Sequence, residues 1–523
     1  MQIAHVHRAE PARHIAQTET ELASIASQMA QLSDRAKLLA KEAAPSRMKL
    51  RVYDAVLSPF RRVPSDILLE IARHAQPQYP QPTRTEAPMS LTHVSSAWRA
   101  AILSCSDFWK VLYLQVRKPV LSSQLTRVWF ERAKTQPLSL FVHFDFNVEE
   151  ISAPLVGYLE GLRSHTARLH HLGLGCSQVI DLFPHLQHTK SIYPNLKSLD
   201  LICTERGTFS DESDGAPLPK LNIFNESPLE TVVIRSDFIA RSNFGRILPW
   251  AVLTQVSVTT WITAGEVIEI LNICPKLKRG DFCILNNNNS IFSHLPNQAV
   301  VHKNVEDLHL NFFIQELCPL ELLSLPSLKK LIISRNNEGG DDRFITFRAQ
   351  DFSYSKNLRS LSFDCLLIKP HNGTDAGVLI GILCQTAVLE ELILTRAHID
   401  HYLVPVFTAM IFYGSNKLLP LLTTLRVGLH NDFDASQVTD HDVNPLHHMV
   451  ESRCLPRQPV TCKSLERICI SGSADNSRSK VLEELLRPRI PVDLVLEIGC
   501  LHVDPPPRVQ PFNGWRPSSK RRR

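Results

Sequence analysis

The sequence predicts an α/β chain: an N-terminal helix or coiled coil, a small all-α domain, then a long irregular solenoid with a parallel sheet. Three observations carry that expectation. An apolar phrase, Leu-x-x-Leu-x-Leu, recurs eleven times between residues 169 and 470. A heptad seam runs through residues 13–43 ahead of it. Between the two, residues 59–114 hold short amphipathic segments split by a run of prolines. At 523 residues the chain is too long for one core, so several domains are expected.

In the first segment, Ile15, Leu22, Ile25, Met29, Leu32, Ala36, Leu39 and Ala43 fall at alternating three- and four-residue steps once Thr18 is admitted. Pro45 is expected to end this helix, and residues 1–12 are expected to be disordered. Two readings stay open for 13–45: a coiled coil that makes a homodimer through residues 13–43, or a lone amphipathic helix folded back on the body.

Residues 59–114 follow. Ser65 is expected to cap a helix carrying Ile67, Leu68 and Ile71 on one face. Pro77, Pro80 and Pro82 make the next stretch a loop. A second helix is expected from Leu91 or Thr92, with Val94, Ala97, Trp98, Ala101 and Ile102 on its apolar face. Ser106 and Asp107 then lead into a turn carrying Phe108 and Trp109. Val120 to Lys134 reads as a helix and Leu138 to Phe144 as a strand.

From residue 169 the phrase recurs with first positions at 169, 196, 229, 253, 277, 305, 328, 358, 389, 422 and 465, in steps of 23 to 43 residues. Most steps lie in or just above the 20–29 residues of a leucine-rich repeat. Helical stretches such as Thr263–Ile273 and Val378–Cys384 lie between copies. Each leucine strand would pair with its neighbours while the helices close the core, so no repeat is stable alone. The Asn expected three residues after the last Leu occurs only at Asn336, and the copy Leu277/Gly280/Phe282 is weak. The 422-to-465 gap, rich in Asp, His and Asn near residues 430–450, reads as a protruding insertion.

Strand alternation would put the residue inside each Leu-x-Leu on the concave sheet surface. Those residues are Gly173, Asp200, Val233, Ser257, Asp281, His309, Ile332, Ser362, Ile393, Arg426 and Cys469. The polar ones, Asp200, Asp281, His309, Ser362 and Arg426, are the candidate contacts for an unidentified target protein.

Composition narrows the function. Lys and Arg exceed Asp and Glu by five (57 − 52), and Lys520–Arg523 supply four of that excess. The body is near neutral, which argues against a nucleic-acid surface. Twelve cysteines without a Cys-x-x-Cys favour reduced thiols over a disulfide framework or zinc ribbon. The N-terminus lacks the apolar core of a signal peptide, and stretches such as Leu403–Tyr413 are too short to span a bilayer. The expectation is an intracellular protein, cytoplasmic or nuclear, with no membrane partner. No phosphate-cradling glycine loop, nucleophile elbow or His-Glu-x-x-His occurs, so no catalytic residue, metal or cofactor is expected. His441, Asp442, His447 and His448 lie close in sequence and read as solvated rather than as a metal site.

Val63-Pro64-Ser65-Asp66-Ile67-Leu68-Leu69-Glu70-Ile71, then Leu91-Thr92-His93-Val94-Ser95-Ser96-Ala97-Trp98-Arg99, then Phe108-Trp109, resemble an F-box, and the layout is similar to the F-box-like proteins of mushroom-forming fungi. The repeats resemble a divergent leucine-rich-repeat solenoid, the usual partner of an F-box. The linker at 75–88 departs from the pattern, being longer and richer in proline than a compact F-box. The resemblance implies an F-box-like domain at 59–114, a solenoid at 115–502 and a disordered basic tail at 503–523. It implies a substrate-recognition subunit of an SCF-type cullin ubiquitin ligase that docks on a Skp1-like adaptor through Pro64, Ile67, Leu68, Ile71, Val94, Trp98 and Trp109. An ordinary helical hairpin with core tryptophans, or a repeat scaffold unrelated to ubiquitin, is the alternative.

Overall fold

The structure is a computed structural model of the chain. It describes residues 3–57, 63–116, 119–144, 162–176, 193–203, 227–235, 248–284, 299–312, 319–335, 356–365, 375–397, 403–411, 418–429, 440–454, 463–471 and 494–498, with a few single positions between them. Asn336 and the basic tail at 503–523 lie outside the described residues. Two compact units emerge: Met1–Gln76 with Pro88–Ser104, and Pro77–Ala87 with Cys105–Arg523.

In the first unit, α1 spans Ile3–Leu57 and runs through Pro45. The expected stop at Pro45 is corrected, and the helix begins at Ile3, within the segment expected to be disordered; residues 1–2 lie outside the described residues. Each proline inside a helix costs about 3 kcal/mol, and more than fifty mostly helix-favouring residues outweigh Pro11 and Pro45 here. Along the seam, Leu22, Ile25, Met29, Leu32 and Leu39 are all more than half exposed.

Next, α2 spans Ser65–Ala75, with Pro64 rather than Ser65 at the N-cap and no side-chain cap bond. The Leu68 N–H donates to Pro64 O at 3.1 Å and closes the first turn. Asp66 in the first turn and Arg73 and His74 in the last match the helix dipole. Leu91–His93 forms a 3-10 turn, so α3 begins at Ser96 and ends at Ser104. Leu68 and Ala72 of α2 and Trp98, Ala101 and Ile102 of α3 are buried, and the two helices pack on each other.

The second unit is built on a fourteen-stranded sheet whose neighbours follow chain order. Its strands are β1 (Val111–Val116), β2 (Leu138–Phe144), β3 (Leu169–Cys176), β4 (Ser198–Cys203), β5 (Thr231–Arg235), β6 (Gln255–Ile262) and β7 (Arg279–Ile284). After β8 (Val300–Val301) come β9 (Asp307–Phe312), β10 (Leu323–Ser324), β11 (Lys330–Arg335), β12 (Ser360–Asp364), β13 (Glu391–Ala397), β14 (Thr424–Leu429), β15 (Arg467–Ser471) and β16 (Val495–Ile498). The short strands β8 and β10 pair only with each other. Every pairing in the large sheet is parallel. This is the arrangement of a leucine-rich-repeat-like solenoid, and the Leu-x-Leu part of all eleven phrases lies on strands.

One face of the sheet is the core. Leu172, Leu199, Val232, Val256, Leu308 and Leu331 are in register and buried. Gly280 fills the same row where the phrase looked weak. A Cβ there would lie 2.6 Å from the Phe282 ring, so the glycine makes room for a larger side chain next to it. Helices cover this face: α4 (Pro119–Arg132), α5 (Ala264–Ile273), α6 (Asp375–Gln385), α7 (Val404–Met410) and α8 (Asp440–Cys454). A capping box opens α5, with Thr263 and Glu266 exchanging bonds.

Two further expectations change. Residues 440–450 belong to a packed helix rather than a protruding insertion, because α8 buries Leu446, Met449 and Val450. Its Arg453 donates to Leu418 O and Leu419 O at 2.7 and 3.0 Å. The inter-repeat asparagine bond is present, but just before the first Leu of the phrase. Asn195, Asn304 and Asn357 each donate to a carbonyl of the preceding repeat, at 2.6 to 2.7 Å.

Cys105, Cys274, Cys283, Cys365, Cys384 and Cys469 form no disulfide. Burial pushes the Cys274 and Cys365 thiols up to about 12. Among the described residues, no helix is long and apolar enough to cross a membrane.

Candidate functional site

The sheet face opposite the leucines is the first candidate surface. Strands β7, β9 and β14 alternate between buried and partly exposed positions, so this face reaches solvent at Asp281, His309, Ile332 and Arg426, whereas Asp200, Val233, Ser257, Ser362, Ile393 and Cys469 are buried. Parallel register aligns Gly173, Asp200, Val233, Ser257, Asp281 and His309 in one row. The row continues through Ile332, Ser362, Ile393, Arg426 and Cys469. Tyr113 and Phe141 extend it at one end and Glu497 at the other.

The proline-rich segment covers the beginning of this row. The Tyr79 ring meets Phe141 edge-on, with centroids 4.7 Å apart at 81°. The Tyr113 N–H donates to Pro80 O at 3.0 Å. Phe141 sits where it does because its neighbour in the row is Gly173, where a Cβ would lie 2.4 Å from the Phe141 ring. Asp200 lies beneath this cap and is only 6% exposed. Burial pushes its carboxyl up to about 6, and Arg235 offsets part of that rise. Tyr79 is raised as well, first by its own burial and then by Asp200. Asp200 is therefore correctly assigned to the row but is not available to a target.

In the middle of the face the row becomes a polar chain. Ser257 Oγ donates to Asp281 Oδ2 at 3.3 Å. Asp281 Oδ1 lies 2.9 Å from His309 Nδ1, and His309 Nε2 lies 2.9 Å from Ser334 Oγ. Asp281 and His309, chosen separately from the sequence, thus belong to one cluster. Beyond it, Arg396 bonds the Asp364 carboxylate and, at 3.0 Å, Arg335 O. The Arg335 N–H also donates to Asp364, at 3.2 Å, which ties β11, β12 and β13 together across the face. Arg396 has φ 52 beside a register shift in β13, and burial lowers its guanidinium to about 10. A left-handed arginine has no sequence signal, so Arg396 and Asp364 were missed. Ser362 is nearly buried between Ile332 and Ile393. The Arg426 Nε lies 3.4 Å from Glu391.

Aspartate, histidine and serine in a chain suggest acyl transfer, but that reaction also needs donors for an oxyanion. Ser334 pairs with Asn311 of β9, while the β11–β12 ladder ends at Ile333 and the next N–H, of Arg335, donates to Asp364. The cluster offers shaped polarity and charge, as a recognition surface does. His447, His448 and Glu451 of α8 also bring ligand atoms within 4.8 Å of one another. His448 and Glu451 are exposed and already pair at 3.7 Å.

The second surface belongs to the helical unit. Pro64, Ile67, Ile71 and Val94 are exposed, whereas Leu68 and Trp98 are buried. The seven residues assigned to an adaptor therefore separate into an exposed set and a core set. Trp109 is corrected outright, because it belongs to the sheet unit and is fully buried. Its ring meets Trp129 at 4.8 Å, and Arg132 lies over it at 4.5 Å. The sequence held the signal: Trp109, Leu112 and Leu114 have the spacing of the repeat phrase, with tryptophan in the first place.

No protein-family model matches the chain, and no curated protein matches it. Among solved structures, a Bacteroides fragilis protein aligns over 61% of this chain and 69% of its own, at 16% identity and a TM-score of 0.29. TLR13, solved in complex with ssRNA13, aligns over 70% of this chain at 14% identity and a TM-score of 0.31. This chain spans 49% of that TLR13 chain. Likenesses this weak carry no argument about function, and the fold assignment rests on the strand order and register above.

Proposed function

We propose that this chain is the target-recognition subunit of an SCF-type cullin ubiquitin ligase. The helical unit docks on a Skp1-like adaptor, and the sheet face around Asp281, His309 and Ile332 holds a target protein. One observation carries the reading. Ile67 and Ile71 lie exposed along one edge of the apolar face of α2, beside buried Leu68 and Ala72, and Pro64 at the N-cap is exposed too. Soluble proteins leave scattered apolar residues exposed, but a helix stripe at i, i+3 and i+7 marks a contact surface. These are positions of the F-box-like signature, and Val94 of its second piece is exposed too. The ubiquitin-transfer chemistry belongs to other subunits. On the sheet, the Asp281/His309/Ser334 cluster and the Arg396–Asp364 pair contribute shape and charge to target binding.

The test is co-expression with a Skp1-like adaptor. Ile67→Glu with Ile71→Glu abolishes co-purification while the helical content stays unchanged. A wild-type chain that does not retain the adaptor overturns the proposal. A second reading, a repeat scaffold without ubiquitin, draws on the division of the chain: Pro77–Ala87 belongs to the sheet unit, so no second F-box helix lies between α2 and α3. That reading gains if a pull-down recovers a stable partner but neither adaptor nor cullin.

A further inference from the structure

We infer that α1 forms a parallel, in-register two-stranded coiled coil with a second copy of this chain. Because the helix continues past Pro45, the seam is longer than the 13–43 stretch read from sequence. With Ile15, Leu22 and Met29 at a positions and Ile25, Leu32 and Leu39 at d, the same phase places Leu50 at a and Tyr53 at d. These side chains are between 53% and 67% exposed. Thr18, the polar residue early in the seam, turns its hydroxyl back onto Ile15 O at 2.8 Å, so a d position there buries no unsatisfied donor. A stripe of this length, held at a 3.5-residue repeat on an unbroken helix, is what two helices bury when they supercoil.

Charge decides both the occupant and the direction. In a parallel, in-register pair each g residue faces the next e residue of the other copy. Glu42 at g then meets Arg47 at e, twice by symmetry, and no like-charged pair arises among the described e and g side chains. An antiparallel pair that keeps the whole seam in contact sets Glu21 against Glu42 at both ends and His14 against Lys49. The helix thus complements itself in one orientation. Ala36 and Ala43 at a positions keep the centre narrow, and Ser46 at d resists slippage of the register. The pair would carry two copies of the sheet face, so a target presenting two copies of its epitope would be held more tightly than by one chain.

Size-exclusion chromatography with light scattering on the full chain is expected to give twice the 59.1 kDa of one copy. Ile25→Glu with Leu32→Glu should return it to one copy without changing the melting of the sheet unit. No cysteine precedes Cys105, so Leu32→Cys adds a lone thiol to α1. Mild oxidation should join that site to itself across the dimer, identified by peptide mass after digestion. A wild-type mass of one copy at tens of micromolar overturns the inference, as does a dimer that survives the double glutamate variant. A dimer in which residue 32 fails to cross-link to itself overturns the parallel register.

Discussion

Replacing Asp200 by Asn should stabilise the protein at neutral pH. The carboxylate sits beneath Tyr79 in the covered part of the sheet, and burial raises it from 3.8 to about 6. For an acid raised in the folded state, the sign is the reverse of a salt-bridged carboxylate. Between about pH 4 and 6 the folded chain holds a proton that the unfolded chain releases, so stability falls as pH rises through that window. Above it the full penalty applies, roughly 3 kcal/mol for a rise of about two pH units. Asn keeps the shape and removes the charge, so urea unfolding at pH 7 should show the variant more stable by about 1–3 kcal/mol. The lower bound allows for the attraction to Arg235 that the variant also loses. The gap should narrow steadily as pH is lowered towards 4. A variant less stable than wild type at pH 7, or a gap that ignores pH, would refute the reasoning.

Within the helical unit, Leu68→Ala should destabilise by about 2–5 kcal/mol as a buried truncation. Ile67→Ala, on the exposed side, should stay within about 1 kcal/mol of wild type in the same denaturation assay. Asn304→Ala removes the bond to Pro275 O and should cost about 1 kcal/mol in urea unfolding. A fluorophosphonate probe should leave Ser334 unlabelled by mass spectrometry, because His309 Nε2 and Asp281 are read as recognition groups; stoichiometric labelling would make it a catalytic site.

The row of residues between the paired leucines was legible because strand alternation leaves no freedom: a residue between two inward leucines must face the other way. Its eleven members lie on neighbouring strands in continuous register. Their accessibility was not legible, because the cover over Asp200 comes from a segment more than a hundred residues earlier in the chain. Trp109 was misread because two patterns overlap between residues 106 and 114: an F-box ending and a first repeat use the same spacing. Pro45 was misread because a local breaker was weighed against its neighbours rather than against the whole length of α1.

The proline insertion, a departure when compared with an F-box, has a physical role as the end of a sheet. An edge strand exposes unpaired N–H groups that invite further pairing, and proline offers no N–H to continue it. Pro80 accepts from β1, and Tyr79 seals the first apolar row against Phe141. Were the Tyr79 ring the cover that dries Asp200, removing it would readmit water and relieve the carboxylate. Tyr79→Ala should then cost about 0.5–1.5 kcal/mol for the lost aromatic pair. In that background Asp200→Asn should gain much less than it does alone. A double-mutant cycle in urea measures this coupling directly. Strict additivity would mean that Asp200 is dried by the strands around it and that the proline segment lies on the sheet without shaping its face.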